Sequence, residues 1–246
     1  MKTNRPLARP TSEFATHNSL RSIAHSRLYP SLTDPSYLVL RSRRLIFSKW
    51  IKQMGRANLT ILDIGGRYQP YRELFGSTIK HYVSLDLVKT DMVDVIADGQ
   101  ALPLAPGSFD VVIATQVLDY LLCPAAALRE IHTVLKPGGS LIASAPACAP
   151  SFAEAELWRF TRSGLCKLFE PFAHAEIVPE LHSAASLVRT LNLAIDGFVH
   201  YPSARWLYRR TMCPLLNLFG LAIEKLSLTS NDQFAANYSV LATKAK

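Results

Sequence analysis

The chain has few of the patterns that mark metal, disulfide or membrane proteins. Its four cysteines, Cys123, Cys148, Cys166 and Cys213, lie far apart in sequence, and its seven histidines form no His-x-x-x-His or His/carboxylate pattern. That spacing excludes a zinc clip and a disulfide framework and points to reduced thiols in a reducing, cytoplasmic compartment. No run approaches the ~18 apolar residues of a membrane span. Residues 1–19 contain no apolar core of a secretory leader, so none is expected. Glycine is sparse, and neither G-x-G-x-x-G nor the P-loop pattern occurs, which argues against dinucleotide and nucleoside triphosphate ligands.

Acids are scarce at one end only. Residues 1–56 hold eleven Lys/Arg against Glu13 and Asp34, whereas the rest of the chain holds 16 basic and 17 acidic residues. The net charge of +8 therefore belongs to the N-terminal arm and not to the body. With Pro6, Pro10, Pro30 and Pro35 punctuating a polar stretch, residues 1–35 are expected to be an irregular, solvated basic arm. Such an arm suits an anionic partner such as a membrane surface or nucleic acid. Nucleic acid is disfavoured because the body is not basic.

What is present is a core. Apolar residues make up 49% of the chain, enough to bury a sizeable interior. Leu38, Leu45, Ile46, Trp50 and Ile51 recur at helical spacing over residues 36–54, and Gly55 follows as a C-cap. Then short apolar runs alternate with helical segments. Strands are predicted at Leu59–Ile64, His81–Leu87, Asp94–Ala97, Phe109–Thr115, Ser140–Ala145, Ala173–Pro179 and Phe234–Thr243. Helices are predicted at Pro124–Leu135, Arg162–Phe169 and across most of 183–229. The alternation implies an α/β fold, a three-layer Rossmann-like and mostly parallel sheet with a helical insertion before the last strand. Residues 36–246 are read as one domain. Right-handed crossovers put every parallel strand's C-terminus on one edge, where ligands bind in such sheets.

The chemistry-bearing residues sit at those strand ends. Asp63-Ile64-Gly65-Gly66 closes the first strand, and glycine there lets the backbone approach a ligand. Asp86, about twenty residues on, suits a carboxylate accepting hydrogen bonds from a ribose diol. Asp98-Gly99 can accept from an exocyclic amine, and an adjacent apolar residue can pack on a flat base. Ser108-Phe109-Asp110 enters the fourth strand and Gln116-Val117-Leu118-Asp119-Tyr120 leaves it.

In their order and spacing, these motifs, together with Leu135-Lys136-Pro137-Gly138-Gly139, resemble the class I methyltransferases of the type 11 domain group over about residues 59–146. Pro70-Tyr71 and Arg159-Phe160-Thr161 resemble a subgroup often encoded with glycan and lipopolysaccharide biosynthesis genes. The resemblance implies S-adenosyl-L-methionine as cofactor. It places Asp63, Gly65 and Gly66 at the methionine end, Asp86 with Leu87 at the ribose, Asp98 and Gly99 at the adenine, and Gln116 beside the sulfonium. Two departures stand out. Arg67 occupies a position where the family has glycine, and is expected to turn outward or approach the cofactor carboxylate. Asp119-Tyr120 replaces a Glu-His pair. Candidates for a general base are, by position alone, Asp119, Tyr120 and Glu156. The implied activity is methyl transfer to a small molecule or glycan, O-directed. The alternatives are a catalytically degenerate cofactor-binding scaffold and an RNA methyltransferase, the latter opposed by the lack of a Pro-Pro-aromatic element for a flipped base. Glu154, Glu156 and Arg159 are candidates for acceptor contacts, Tyr68, Tyr71 and Trp158 for walls of its pocket, and His174 and His182 for groups reaching the strand edge. The insertion at 183–229 reads as a helical cover for the core, with a lid or a membrane-surface element, rich in aromatic and basic residues, as alternatives.

Overall fold

The computed structural model describes residues 17–150, 155–226 and 231–246. The N-terminal basic residues up to 16 and Glu154 lie outside them. Chain order runs α1 (His17–Leu28), α2 (Tyr37–Met54), β1 (Leu59–Ile64), α3 (Arg72–Phe75), β2 (Ile79–Asp86), β3 (Val95–Ile96), β4 (Phe109–Thr115), α4 (Pro124–Val134), β5 (Leu135–Pro146), α5 (Arg162–Leu168), β6 (His174–Pro179), α6 (Ser183–Phe198), α7 (Pro202–Arg210), α8 (Met212–Leu226) and β7 (Asn237–Thr243).

The strands form one seven-stranded sheet in the order β3-β2-β1-β4-β5-β7-β6. β1 to β5 pair in parallel, and β7 runs antiparallel between β5 and β6. Both faces are buried, which is why the central strands read as continuous apolar runs. Alternate residues serve opposite layers. Leu62, Val112, Ala114 and Leu141 pack with Leu128 and Ile131 of α4 and with Leu165 of α5. Ile61, Val111, Ile113 and Ile142 pack with Phe47 and Trp50 of α2. α2 ends at Gly55, whose φ of 57° is the left-handed cap that its sequence position suggests.

The structure corrects three expectations. The arm is not irregular throughout, because residues 17–28 form α1, with Leu20 and Leu28 fully buried. β5 begins at Leu135, so Lys136-Pro137-Gly138-Gly139 is an irregular start to a strand and not a separating turn. The ladder pairs Phe109 with Leu135, then shifts register to pair Val111 with Ser140. The last strand starts at Asn237 and not Phe234.

The insertion is three helices. α6 packs on α8, and both pack on α2. Leu181, Ala185 and Ala236 share a small core with Leu38 and Val39, so these helices cover the sheet's far corner. Among the described residues no helix is long and apolar enough to cross a membrane.

Candidate active site

The parallel register assembles the site. Ile64 pairs with both Leu85 and Ala114, Leu85 with Val95, and Thr115 with Ser144. The residues that follow those pairs, Gly65, Asp86, Asp98 and Gln116, therefore stand along one edge of the sheet. Gly65 and Gly66 both donate their backbone N–H groups to Leu85 O, at 2.8 and 3.1 Å. Gly65 has φ of 75°, and a Cβ there would meet Val117 Cγ2 at 2.6 Å. At Gly66 one would meet Asp63 O at 2.7 Å. Glycine is required at both positions by the protein's own packing.

Asp63 is buried and accepts a 2.6 Å hydrogen bond from Tyr82 Oη. Burial pushes its carboxyl up to about 7, nearby Asp86 pushes the same way, and the Tyr82 bond opposes them. Asp86 is likewise buried. Its Oδ1 accepts from Val88 N at 2.9 Å and its Oδ2 from Arg67 Nε at 3.1 Å. Arg67 thus takes neither expected course: it folds onto the buried acid assigned to the ribose. Leu87 beside it is largely exposed. Asp98 accepts from Gln100 N and from Gln100 Nε2, which shapes the loop. A Cβ on buried Gly99 would meet Ile64 Cγ2 at 3.2 Å, so this loop packs against the tip of β1.

Gln116 is held at φ of 53°, a conformation uncommon outside glycine and enriched at functional sites. Its Nε2 donates to Ser144 Oγ at 3.1 Å. Its other anchor was not foreseen. The Asn237 amide, oriented by its neighbours, accepts from Gln116 Nε2 at 3.1 Å and from Arg43 Nη2 at 3.0 Å and donates to Ala236 O at 2.8 Å. Arg43 in turn grips Glu180 through two bonds of 2.6 and 3.0 Å, and Glu180 Oε1 also accepts from Ser239 Oγ. This buried network joins α2 and the chain after β6 to the floor of the site.

The three base candidates sit together but differ chemically. Tyr120 Oη donates to Glu156 Oε1 at 3.3 Å, and Glu156 Oε2 pairs with Arg159 at 2.5 Å. Leu157 N and Trp158 N both donate to Asp119 O, which docks this segment on the turn after β4. Burial, with Glu156 and Asp119 adding to it, pushes the Tyr120 hydroxyl up to about 12, so it keeps its proton at neutral pH. Burial raises Asp119 to about 6, and its Oδ1 has no partner. Asp119 is therefore the group able to exchange a proton near neutrality.

Other candidates are placed elsewhere. His174 pairs with Thr243, which pairs with Ser140, so it lies at the opposite end of the sheet. His182 Nδ1 contacts Glu224 at 2.8 Å, and His132 packs edge-on against Phe172. Asp110 bonds Thr60 N and Lys136 Nζ at the entry of β4, tying three strands together. Tyr71 is buried in the α2 layer, Tyr68 lies under the Arg27 guanidinium of α1, and Trp158 Nε1 donates to Leu121 O. Among the described residues, no three His, Cys, Asp or Glu side chains are placed to share a metal ion.

The sequence and the fold have counterparts among known proteins. Residues 46–143 match the family model described as a methyltransferase domain. An uncharacterized methyltransferase of Mycolicibacterium gilvum is 28% identical over 142 residues, covering 51% of this chain and 56% of that protein. Methyltransferase AacuQ of Aspergillus aculeatus is 31% identical over 99 residues, covering 35% and 32%. The chain thus spans little more than half of one of these relatives and about a third of the other. A crystal structure of a SAM dependent methyltransferase from Archaeoglobus fulgidus superposes with a TM-score of 0.50 at 15% identity, covering 82% of this chain and 94% of that one. At that identity the likeness speaks for the fold alone. Over residues 46–143 the chain thus matches a methyltransferase domain, and its seven-stranded sheet with flanking helices has the Rossmann-like fold of the methyltransferases.

Proposed function

We propose that the whole chain is an S-adenosylmethionine-dependent methyltransferase acting on a small molecule or glycan, with a hydroxyl as acceptor. The observation that carries the reading is the row of Gly65-Gly66, Asp86, Asp98 and Gln116 along one edge of the parallel sheet. The donor set fits the cofactor. Asp86 retains lone pairs on both oxygens for a ribose diol, Asp98 and the Gly99 backbone suit an adenine edge, and Gln116 stands at the tip of β4 for the sulfonium end. Bound there, the cofactor supplies an activated methyl group. The protein's part is alignment, exclusion of water and proton handling, of which alignment alone can be worth roughly 7–11 kcal/mol. Asp119 takes the acceptor's proton, because its carboxyl is raised to about 6 and, unlike that of Asp63, which Tyr82 holds, it keeps an unpartnered oxygen beside Tyr120 and Glu156. Trp158 and the Glu156–Arg159 pair form the wall beside it. The glycan and lipopolysaccharide subgroup rests on Pro70-Tyr71 and Arg159-Phe160-Thr161.

Calorimetric titration with S-adenosylhomocysteine tests the cofactor site. Wild type binds, and Asp86→Ala loses about tenfold or more in affinity, as a hydrogen-bonded charged acceptor is removed. Equal affinity in the two proteins removes Asp86 from the site.

A second observation bears on location. α6 to α8 expose a large share of the protein's big apolar side chains, among them Phe198, Trp206, Leu215 and Phe219, with Arg205 and Arg210 nearby. Exposed apolar and basic side chains on these helices suit peripheral contact with an anionic membrane surface. Co-sedimentation with vesicles checks it: binding is expected to anionic but not to purely zwitterionic vesicles, and to fall in Trp206→Ser/Phe219→Ser. Absence of binding to anionic vesicles removes the membrane reading.

A further inference from the structure

Among the described residues, Arg189 is a buried charge whose donors are left without partners. It lies on the buried face of α6, three residues after Ser186 and three before Asn192, and is 6% exposed. Ser186 and Asn192 are both satisfied. Ser186 Oγ accepts from Ala236 N at 3.0 Å, and Asn192 Nδ2 donates to Asn217 Oδ1 at 3.2 Å. Arg189 is not: its Nε and Nη1 are buried with no hydrogen-bond partner. Burial pulls the guanidinium down to about 10, which leaves it protonated at neutral pH. Glu180 is the nearby carboxylate, but it already receives two bonds from Arg43 and one from Ser239. An unpaired buried cation is costly unless something supplies the missing anion.

Its position says what that anion belongs to. Ala236, held by Ser186 one turn away, accepts from Ala147 N just beyond β5, and Asn237 next to it holds Gln116. The groups that feel the charge of Arg189 also include Cys148, two residues past β5, and Arg159. Arg159 reaches the carbonyls of Ala149 and Pro150 in the same segment. Arg189 therefore belongs to the stretch of α6 that packs, through Ser186 and Ala236, beside the chain leaving β5 and the floor residue Gln116, where an acceptor would enter.

We propose that Arg189 anchors an oxyanion of the methyl acceptor, a carboxylate or a phosphate group, at the tip of β5, with Arg159 at the outer side. This rests on the methyltransferase reading and narrows its substrate class from any small molecule or glycan to an anionic one. A guanidinium presents its donors as a fixed fork, suited to either anion.

The test uses the full chain, its Arg189→Met and Arg189→Lys variants, and inorganic phosphate and acetate as probes against chloride at matched ionic strength and pH. In wild type one of the two probes is expected to raise the melting temperature saturably, by about 2–4 °C or more. A response to phosphate alone assigns a phosphate-bearing acceptor, and one to acetate alone a carboxylate. Arg189→Met loses the response and melts no lower than wild type in chloride, because an apolar side chain of similar length replaces an unsatisfied charge. Arg189→Lys keeps a weakened response. The proposal is overturned if wild type responds to neither anion or if Arg189→Met keeps the response. It is also overturned if that variant melts several degrees lower in chloride, the mark of a structural arginine. Titration with S-adenosylhomocysteine separates the readings: a tenfold loss in Arg189→Met assigns Arg189 to the cofactor's carboxylate and overturns the proposal. Failure of wild type to bind it at all overturns the methyltransferase reading instead.

Discussion

Asp63 illustrates how one residue's position in the sheet becomes a pH dependence of the whole. It is the last but one residue of β1, with neighbouring strands on both sides, so its carboxyl is taken out of water on folding. The folded chain therefore holds the Asp63 proton up to about pH 7, whereas the unfolded chain releases it near 4. For an acid whose pKa is raised on folding, the unfolded state binds fewer protons between those values, so stability falls as pH rises from about 4 to about 7. Asp63→Asn keeps an acceptor for Tyr82 and cannot ionise. Its melting temperature relative to wild type is expected to climb across that window, by about 2–4 °C or more, and to level off above it. A difference independent of pH contradicts the buried, proton-holding carboxyl. The residue scale also explains why Arg43, Glu180 and Arg189 were not picked out from sequence. Charged side chains read as solvent-facing, and Glu180, which pairs with Arg43, is 137 residues away in the chain.

At the scale of elements, legibility followed burial. β1 and β4 match their sequence-predicted ranges because both faces of each are covered, and a continuous apolar run bounded by polar residues has few other readings. β5 was truncated in the sequence reading because Lys136-Pro137-Gly138-Gly139 has turn composition, while the ladder bond that starts the strand comes from Phe109. α1 was missed for a different reason. His17–Leu28 buries only Leu20 and Leu28, and two anchors eight residues apart leave almost no periodic signal. Those anchors nevertheless fasten it. Leu28 joins Phe47, Trp50, Tyr71 and Phe75, and Tyr29 Oη just beyond donates to Glu73 at 2.6 Å. Arg27 covers Tyr68, close to the glycine loop. Leu28→Ala is accordingly expected to cost about 2–5 kcal/mol and to lower the melting temperature by roughly 4 °C or more. A freely solvated arm would leave the melting temperature unchanged, and calorimetry distinguishes the two outcomes.

Across the whole molecule, the layers are tied to the site by one buried ion pair. Arg43 belongs to α2 and Glu180 to the chain after β6. Asn237 and Ser239 of β7 hold each of them, and Asn237 reaches Gln116 at the tip of β4. Four elements that are distant in sequence thus meet around an ion pair whose side chains are almost wholly out of water. The Coulomb attraction of such a pair largely offsets its own desolvation, so the pair adds little net stability, yet either partner left alone is an uncompensated buried charge. Arg43→Met and Glu180→Gln are each expected to cost about 3–5 kcal/mol in denaturant unfolding. The double variant Arg43→Met/Glu180→Gln is expected to lose far less than the two losses combined, because no charge is then stranded. Its affinity for S-adenosylhomocysteine measures what the pair contributes beyond stability. Asn237 without Arg43 no longer has its second donor, so Gln116 is less firmly held, and the affinity drops even where the fold is restored. Losses that simply add, together with an unchanged affinity, would show the four elements to be independent and would reduce the pair to a local packing feature.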